Sequence, residues 1–234
     1  RLMARAAARL GERTRRIDTL VAKRVGQLDD DLHALQVTRA SEVLDGLGDM
    51  AAGIGGELGK RVVLETAGFD IEMDRPTLQR LRGVLVHMLR NAIDHGIESA
   101  AERESAGKPA DGRIRISLAL SGGYFVVEIS DDGRGLSAAE IRRSAVRAGF
   151  VDEAGAAQLA DEQLNRLIFH PRFSTAREVT DLSGRGMGLS SVEDTVRSLG
   201  GFLSVETTRG AGTVFRLRLP AARSGSAAVL VEAG

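Results

Sequence analysis

A short polar segment carries residue types that hold metal-bound phosphates in proteins. His87, Asn91, Asp94 and His95 lie at positions i, i+4, i+7 and i+8, so on a helix their side chains would share one face. An Asn side-chain carbonyl is a hard oxygen ligand of the kind that Mg²⁺ prefers. The spacing therefore predicts a polar face for Mg²⁺ and nucleotide phosphates. The alternative is a polar helix end that faces only solvent.

A first glycine segment, Asp-Asp-Gly-Arg-Gly at positions 131–135, directly follows a predicted strand over 125–129. The carboxylate of Asp131 at a strand end can accept a hydrogen bond from the amino group of adenine. Gly133 and Gly135 would let the backbone turn tightly and approach a ligand. The same pattern also describes an ordinary turn, so alone it does not identify a nucleotide site.

A second glycine segment, positions 183–189, reads Ser-Gly-Arg-Gly-Met-Gly-Leu and begins a predicted helix. Gly184, Gly186 and Gly188 would free successive backbone N–H groups for a phosphate, and a helix N-terminus favours an anion. The segment lacks the Gly-x-Gly-x-x-Gly spacing and the strand–turn–helix unit of a dinucleotide-binding fold. It therefore predicts a phosphate cradle outside that fold class.

Helices and strands are mixed around these segments. Positions 74–76 predict the start of a helix whose wide apolar face, over 81–93, packs on a sheet. Ser41 is expected to cap an earlier helix over 43–58, with Gly59 as its stop. The predicted strands are 61–66, 113–120, 124–130, 202–207 and 213–219, and the remaining predicted helices are 137–148, 161–169 and 188–199. Because short turns join neighbouring strands, an α/β sandwich with a mixed, largely antiparallel sheet is favoured.

The first forty residues carry a narrow apolar stripe. Its members recur at steps of three or four and are Ile17, Val21, Val25, Leu28, Leu32 and Leu35. Such a stripe flanked by charge needs a partner helix. One long helix with a slip near Val25 and a hairpin broken near Gly11 or Gly26 both fit. Residues 1–40 are therefore predicted to be a helical dimerisation segment.

The composition excludes several classes of function. Lys and Arg together number 32, as do Asp and Glu, so the formal net charge is zero and no nucleic-acid partner is expected. Cys is absent, which excludes thiol catalysis, Cys-ligated zinc and disulfides. The sequence shows neither an apolar run long enough for a membrane span nor a signal-peptide core. A cytoplasmic location is expected.

The segments together resemble the ATP-binding domain of histidine kinases, in the superfamily shared with gyrase and MutL. Asn91 matches the asparagine box, the two glycine segments match the two glycine boxes, and positions 210–213, Gly-Ala-Gly-Thr, resemble the terminal G-x-G-T box. Positions 85–98 are similar, almost residue for residue, to the asparagine box of the CheA chemotaxis kinases. The resemblance extends from about Ser41 to the C-terminus.

This resemblance implies an α/β fold with three parts. Residues 1–40 would be the helical dimerisation segment. Residues 41–221 would form an α/β sandwich ATP-binding domain of the Bergerat type. Residues 222–234 would begin a truncated CheW-like regulatory domain.

The implied function is the core of an ATP-dependent protein histidine kinase in a CheA-like two-component system. It would transfer the γ-phosphoryl of ATP to a His on a separate phosphoacceptor domain, in trans or upstream. A homodimer, a response regulator, a CheW-like adaptor and a receptor are the implied partners. The alternative is an ATP-binding module or scaffold of a signalling complex without phosphotransfer activity.

The resemblance also assigns roles to individual residues. Asn91 would hold Mg²⁺ on the ATP phosphates, Asp131 would recognise adenine, and His87 would be either catalytic or an orienter of Asn91. Residues 137–183 would form a lid, in which Phe169 and Phe173 are equally expected as latches or as core residues. The other expected nucleotide-binding residues are Arg90, Asp94, His95, Gly133, Gly135, Ser183, Gly184, Gly186, Gly188 and Thr213.

Overall fold

The computed structural model describes residues 37–170 and 188–221, together with positions 21, 24 and 173. The strands found there are β1 (Val37–Arg39), β2 (Val62–Ala67), β3 (Glu72–Asp74), β4 (Gly112–Ser121), β5 (Tyr124–Asp131), β6 (Phe202–Thr208) and β7 (Gly212–Pro220). The α-helices are α1 (Ala40–Leu44), α2 (Leu47–Glu57), α3 (Arg75–Asn91), α4 (Ala100–Ser105), α5 (Ala138–Arg147), α6 (Glu153–Gln158), α7 (Asp161–Leu167) and α8 (Leu189–Ser198). A π-helical turn, Ala92–Gly96, directly continues α3.

Several predictions lie outside the described residues. They are the dimerisation segment up to residue 36, the second glycine segment through Met187, and the C-terminal stretch 222–234. Ser183, Gly184 and Gly186 belong to this group. Within the described part of the chain, no helix is long and apolar enough to cross a membrane.

Five strands form one sheet in the order β2-β4-β5-β7-β6. The β2–β4 pair is parallel, whereas the β4–β5, β5–β7 and β6–β7 pairs are antiparallel. Gly122 and Gly123 join β4 to β5 with φ of 57° and 75°, the positive values that a tight hairpin turn requires. The predicted mixed, largely antiparallel sheet is confirmed.

The two faces of the sheet differ in burial because side chains alternate along each strand. In β4, Ile114, Ile116 and Leu118 are buried, whereas the alternate residues Arg113 and Arg115 are exposed. The buried face packs against α3, α2 and α8, whose apolar residues join the same core. This arrangement is the α/β sandwich that the mixture of helices and strands with short turns predicted.

Helix α3 begins as predicted and places the polar segment at its other end. The Asp74 side chain accepts a hydrogen bond from the Thr77 backbone N–H at 2.9 Å, and Pro76 occupies the first turn. The face toward the sheet buries Leu78, Leu81, Val84, Leu85, Met88 and Leu89. The packing of this apolar face fixes the helix, and therefore Asn91 at its last position, against the sheet.

The helix predicted over 43–58 is interrupted, and its predicted cap was wrong. Gly46, with φ of 80°, separates α1 from α2. Ser41 lies inside α1, where its backbone N–H donates to the Phe69 carbonyl at 2.8 Å. The helix starts two residues early, with Arg39 as its cap, because β1 pairs with β3 and delivers the chain directly into it. The predicted stop at Gly59 is consistent with its φ of 63°.

A smaller apolar cluster lies under α5 and α7. Its buried members are Ile141, Leu164, Ile168 and Phe169. Phe169 is only 6% exposed, and its ring lies edge-on to Phe215 of β7 with centroids 6.3 Å apart. Phe169 therefore packs as a core residue, one of the two roles expected for it. Phe173 is half-buried, with its ring 6.2 Å from that of Phe150.

Candidate active site

The polar segment lies where α3 widens into the π-helical turn. The Ile97 backbone N–H donates to the Ala92 carbonyl at 2.7 Å, an i→i+5 bond that adds one residue to the turn. The α-helical spacing used to place all four polar residues on one face therefore fails after Asn91. Asn91 and Asp94 are half-buried, whereas His95 is exposed.

Lys60 holds the end of this turn. Its ammonium donates to the carbonyl oxygens of Ile93 at 2.6 Å and Asp94 at 2.7 Å, which are otherwise unpaired groups at a helix end. Burial and the nearby Arg134 guanidinium lower the pKa of Lys60 from its ordinary value. Sequence reasoning missed this residue, although the rarity of Lys in an Arg-rich chain was a usable signal.

His87, one turn before Asn91 on α3, has a buried ring nitrogen. Its Nε2 atom has no hydrogen-bond partner within the described part of the chain. Burial and the charge of Arg90 lower the pKa of His87, so the imidazole is neutral at physiological pH. A buried nitrogen without a partner costs free energy, so a water molecule or a ligand that donated a hydrogen bond to this atom would be stabilising.

Asp131 ends β5 on the buried face of the sheet. Its Oδ1 atom accepts a hydrogen bond from the Gly133 backbone N–H at 2.9 Å. Burial raises the pKa of this carboxyl to about 6, with a smaller contribution from the Asp132 carboxylate. The backbone N–H groups of Gly133 and Thr213 act in the opposite direction. The carboxylate is thus ionised at neutral pH and poorly solvated, which suits a group awaiting a hydrogen-bond donor.

The first glycine segment contacts the π-helical turn through the backbone. The Arg134 N–H donates to the Gly96 carbonyl at 2.9 Å. A Cβ atom at Gly133 would collide with that same carbonyl, so only glycine permits this approach. The segment that carries Asn91 and the segment that carries Asp131 are therefore in direct contact.

The turn between β6 and β7 packs against the first glycine segment and against the end of β5. A Cβ atom at Gly212 would collide with the Asp131 carbonyl, and one at Gly135 would collide with the Thr208 carbonyl. Thr213 is buried beside Asp131, its partner in the β5–β7 register. The structure thus brings together three of the four predicted segments, and Gly188 of the fourth is the residue before α8.

A cavity of about 830 Å³ opens next to these segments. Asp94, His95 and Arg134 form one wall. The facing wall, from α5 and α6, is formed by Glu140, Arg142, Arg143, Val146, Arg147, Glu153, Ala156 and Ala157. Four guanidinium groups and three carboxylates thus line the cavity, which leaves an excess of one positive charge to attract an anion. Asn91 and Asp131 adjoin this cavity and do not line it.

The model of one ATPase family matches residues 77–223, which span α3, the two glycine segments and the β6–β7 hairpin. Its description is the histidine kinase-, DNA gyrase B-, and HSP90-like ATPase. The chain belongs to this family. Membership of the histidine kinase-, DNA gyrase B- and HSP90-like ATPases implies that the domain uses a nucleotide.

Among these ATPases, the chain carries a CheA-like domain. It is 39% identical over 176 residues to the chemotaxis protein CheA of Bacillus subtilis, which covers 75% of this chain and 26% of that protein. Identity to CheA of Cereibacter sphaeroides is 42% over 161 residues, covering 69% and 23%. The gliding motility regulatory protein of Myxococcus xanthus is 40% identical over 176 residues, covering 75% and 23%. The chain thus spans about a quarter of the length of these relatives.

Among solved structures, the catalytic domain of histidine kinase ThkA aligns with a TM-score of 0.49 and 18% identity. The alignment covers 79% of this chain and 93% of that domain.

Proposed function

We propose that this chain is the ATP-binding and catalytic core of a CheA-like histidine kinase. The observation that carries the proposal is the contact between the Asn91 segment, the Asp131 segment and the 210–213 turn through glycine positions that exclude any Cβ atom. Its substrates are ATP and a His side chain on a separate phosphoacceptor domain. The CheA relatives support this assignment.

The acceptor imidazole does not have to lose a proton before it attacks the γ-phosphoryl group of ATP. The lone pair of the unprotonated imidazole nitrogen of the acceptor attacks the γ-phosphorus, while the bond from that phosphorus to the β,γ-bridging oxygen breaks. ADP leaves with the electron pair of that bond. Because so little covalent chemistry is required of the protein, catalysis rests on positioning and on neutralising phosphate charge.

The residues at the end of α3 fit a magnesium ion. Asn91, the last residue of α3, would offer its amide oxygen to the ion, and the buried Nε2 atom of His87 one turn earlier has no hydrogen-bond partner in the described part of the chain. The described residues hold no cluster of three or more His, Asp or Glu side chains able to bind a metal. Mg²⁺ usually takes few protein ligands and completes its shell with phosphates and water. When bound, it would neutralise the charge on the phosphates of ATP.

The remaining residues divide between the two ends of the nucleotide. At the adenine end, the Asp131 carboxylate accepts a hydrogen bond from the amino group, and Gly133, Gly135 and Thr213 shape the backbone around it. At the phosphate end, the expected residues are Arg90, Asp94, His95, Ser183, Gly184, Gly186 and Gly188. In this arrangement His87 either contacts the phosphates directly or orients Asn91.

The partners proposed for the chain follow from the same resemblance. Residues 1–40 would pair two copies, and residues 222–234 would lead into a CheW-like regulatory domain. A response regulator would receive the phosphoryl group from the acceptor domain, and a CheW-like adaptor would couple the kinase to a receptor. The chemotaxis and motility names of the relatives support this set.

The proposal is tested by mixing the purified chain with a separately purified CheA phosphoacceptor domain, γ-labelled ATP and Mg²⁺. Acid-labile, base-stable label on the acceptor domain supports the kinase assignment. Tight ATP binding without any labelled acceptor would instead support the ATP-binding module or scaffold. An acceptor whose His is replaced by Gln is the control for nonspecific label.

ATP affinity is expected to rise with pH between about 5 and 7. The pKa of Asp131 is raised to about 6 by burial, so acid protonates the carboxyl and removes the charged acceptor of the adenine amino group. If only the ionised form binds, affinity at pH 5 is about tenfold lower than at pH 7. Calorimetric titration of ATP across this range measures the change. The same profile in Asp131→Asn would assign the titration to another group.

Removal of residues 1–36 is expected to give a monomer that still binds ATP. The apolar stripe of the removed part needs a partner helix. The deletion keeps Val37–Arg39 because this strand pairs with β3. Light scattering measures the mass, and nucleotide titration measures the binding. A dimer that survives the deletion would place the self-association elsewhere.

A further inference from the structure

Four charged side chains lie together beside the first glycine segment. They are Glu98, Arg103, Lys108 and Asp132, called here the charge cluster. Arg103 is 0% exposed, and its guanidinium pairs with Glu98 at 3.1 Å and with Asp132 at 2.8 Å. Lys108 pairs with the other oxygen of Glu98 at 2.8 Å. Two cations and two carboxylates therefore compensate one another around the fully buried Arg103, with Asp132 at the solvent-exposed edge of the cluster.

The cations of the charge cluster also hold the backbone of the glycine segment. The Lys108 ammonium donates to the carbonyl oxygens of Asp132 at 2.9 Å and Gly133 at 2.7 Å. With its bond to Glu98, all three of its donors are used. Arg103 donates to the same Asp132 carbonyl at 3.3 Å. The backbone that follows Asp131 is thus fixed at two consecutive carbonyls.

The Asp132 side chain is held as firmly as its carbonyl. One carboxylate oxygen accepts from the Arg113 backbone N–H at 2.9 Å, and the other pairs with Arg103. Asp131 and Asp132 have different partners, since the Asp131 carboxylate bonds to Gly133 N–H. Fixing Asp132 and the carbonyl of Gly133 therefore restricts where the Asp131 carboxylate can lie.

Glu98 stays ionised within the charge cluster although its burial disfavours the charge. Burial opposes the ionisation of Glu98, yet the hydrogen bond and charge of Lys108, together with Arg103, hold the pKa of Glu98 below its usual value. Removing one partner from such a set leaves a buried charge uncompensated. Of the two cations, Lys108, with a side chain 17% exposed against 0% for Arg103, is the one whose loss the fold can better accommodate, because water can reach Glu98 in its place.

We propose that Lys108 is a positioning residue that aligns the Asp131 carboxylate with the adenine amino group and thereby sets the preference of the site for adenine over guanine. This inference rests on the proposed ATP-binding function. Adenine presents an amino donor at C6, whereas guanine presents a carbonyl acceptor there. A carboxylate held in place attracts the amino group of adenine and repels the carbonyl group of guanine. A carboxylate that is free to shift distinguishes the two bases less well.

Lys108→Met tests the inference, with Arg61→Met as its matched control. Arg61 is exposed and pairs with Asp111 at 2.6 Å, beside the same loop but without contact to the glycine segment. Calorimetry with Mg·ATP and Mg·GTP measures both affinities, and thermal unfolding measures the stability. Lys108→Met is expected to weaken ATP binding about tenfold and to leave GTP binding within twofold. Arg61→Met is expected to keep the wild-type ratio.

The contrast between nucleotides separates positioning from general support of the fold. An unchanged ratio of ATP affinity to GTP affinity in Lys108→Met would overturn the inference, whether both affinities fall equally or neither changes. If Lys108→Met does not fold, Glu98→Gln provides the same test, because it removes the charge that holds Lys108 while keeping the side-chain shape. In Glu98→Gln the ratio of ATP affinity to GTP affinity is expected to fall, as in Lys108→Met. A wild-type chain that binds neither nucleotide would refute the proposed function itself.

Discussion

Asn91→Ala is expected to abolish phosphoryl transfer while leaving the fold intact. Asn91 is the last residue of α3, and the helix is held by an apolar face that the substitution does not touch. Ala is a better helix former than Asn, so a loss of helix is not expected. The substitution removes the amide oxygen proposed to hold the metal-bound phosphates. Loss of one preorganised electrostatic group of this kind lowers the rate on the order of 10²-fold or more.

The measurement is the initial rate of label transfer from ATP to the acceptor domain, with circular dichroism to check the fold. Gln79→Ala is the matched control, since it removes an exposed amide from the same helix. The control is expected to transfer at the wild-type rate. Transfer at the wild-type rate in Asn91→Ala would remove this residue from the site.

Asp131→Asn is expected to weaken ATP binding by about 10-fold to 100-fold. The two side chains have the same shape, so the change replaces a charged acceptor with an amide that both donates and accepts. A charge-assisted hydrogen bond lost in this way corresponds to about 1.5–3 kcal/mol. The site also favours a neutral group, because burial raises the pKa of Asp131 to about 6. The folded protein is therefore expected to tolerate the substitution.

Calorimetric titration with ATP provides the affinity, and thermal unfolding without ATP provides the stability. Asp70→Asn, at an exposed position between β2 and β3, is the control for loss of a carboxylate. ATP affinity equal to wild type in Asp131→Asn would mean that adenine is recognised elsewhere.

Local signals were sufficient to predict most of the sheet. Alternation along β4 and β5, with Gly122 and Gly123 between them, marked the hairpin to within one residue at each end. The start of α3 was equally visible, because Asp74 and Pro76 act within a single helical turn. Turn chemistry and helix capping are properties of neighbouring residues, so a single sequence displays them.

Features that depend on distant contacts were not predicted. Lys60 binds carbonyl groups more than thirty positions further along the chain, and no local pattern reports such a pairing. The charge cluster was missed for the same reason, since Arg103 reaches Asp132 across 29 positions. The π-helical turn also went unseen, because its extra residue is visible only in the hydrogen bond from Ile97 to Ala92.

The glycines of this chain differ in how well they would tolerate substitution during evolution. At Gly122 and Gly123 the space around a Cβ atom is open, so a lineage can exchange either for Asn or Asp at a modest backbone cost. At Gly133 and Gly212 the space is filled by carbonyl groups of the neighbouring segments, so every substitution that replaces glycine there inserts a colliding Cβ atom. Loss of the nucleotide site by random mutation can therefore begin at positions that have no side chain to lose.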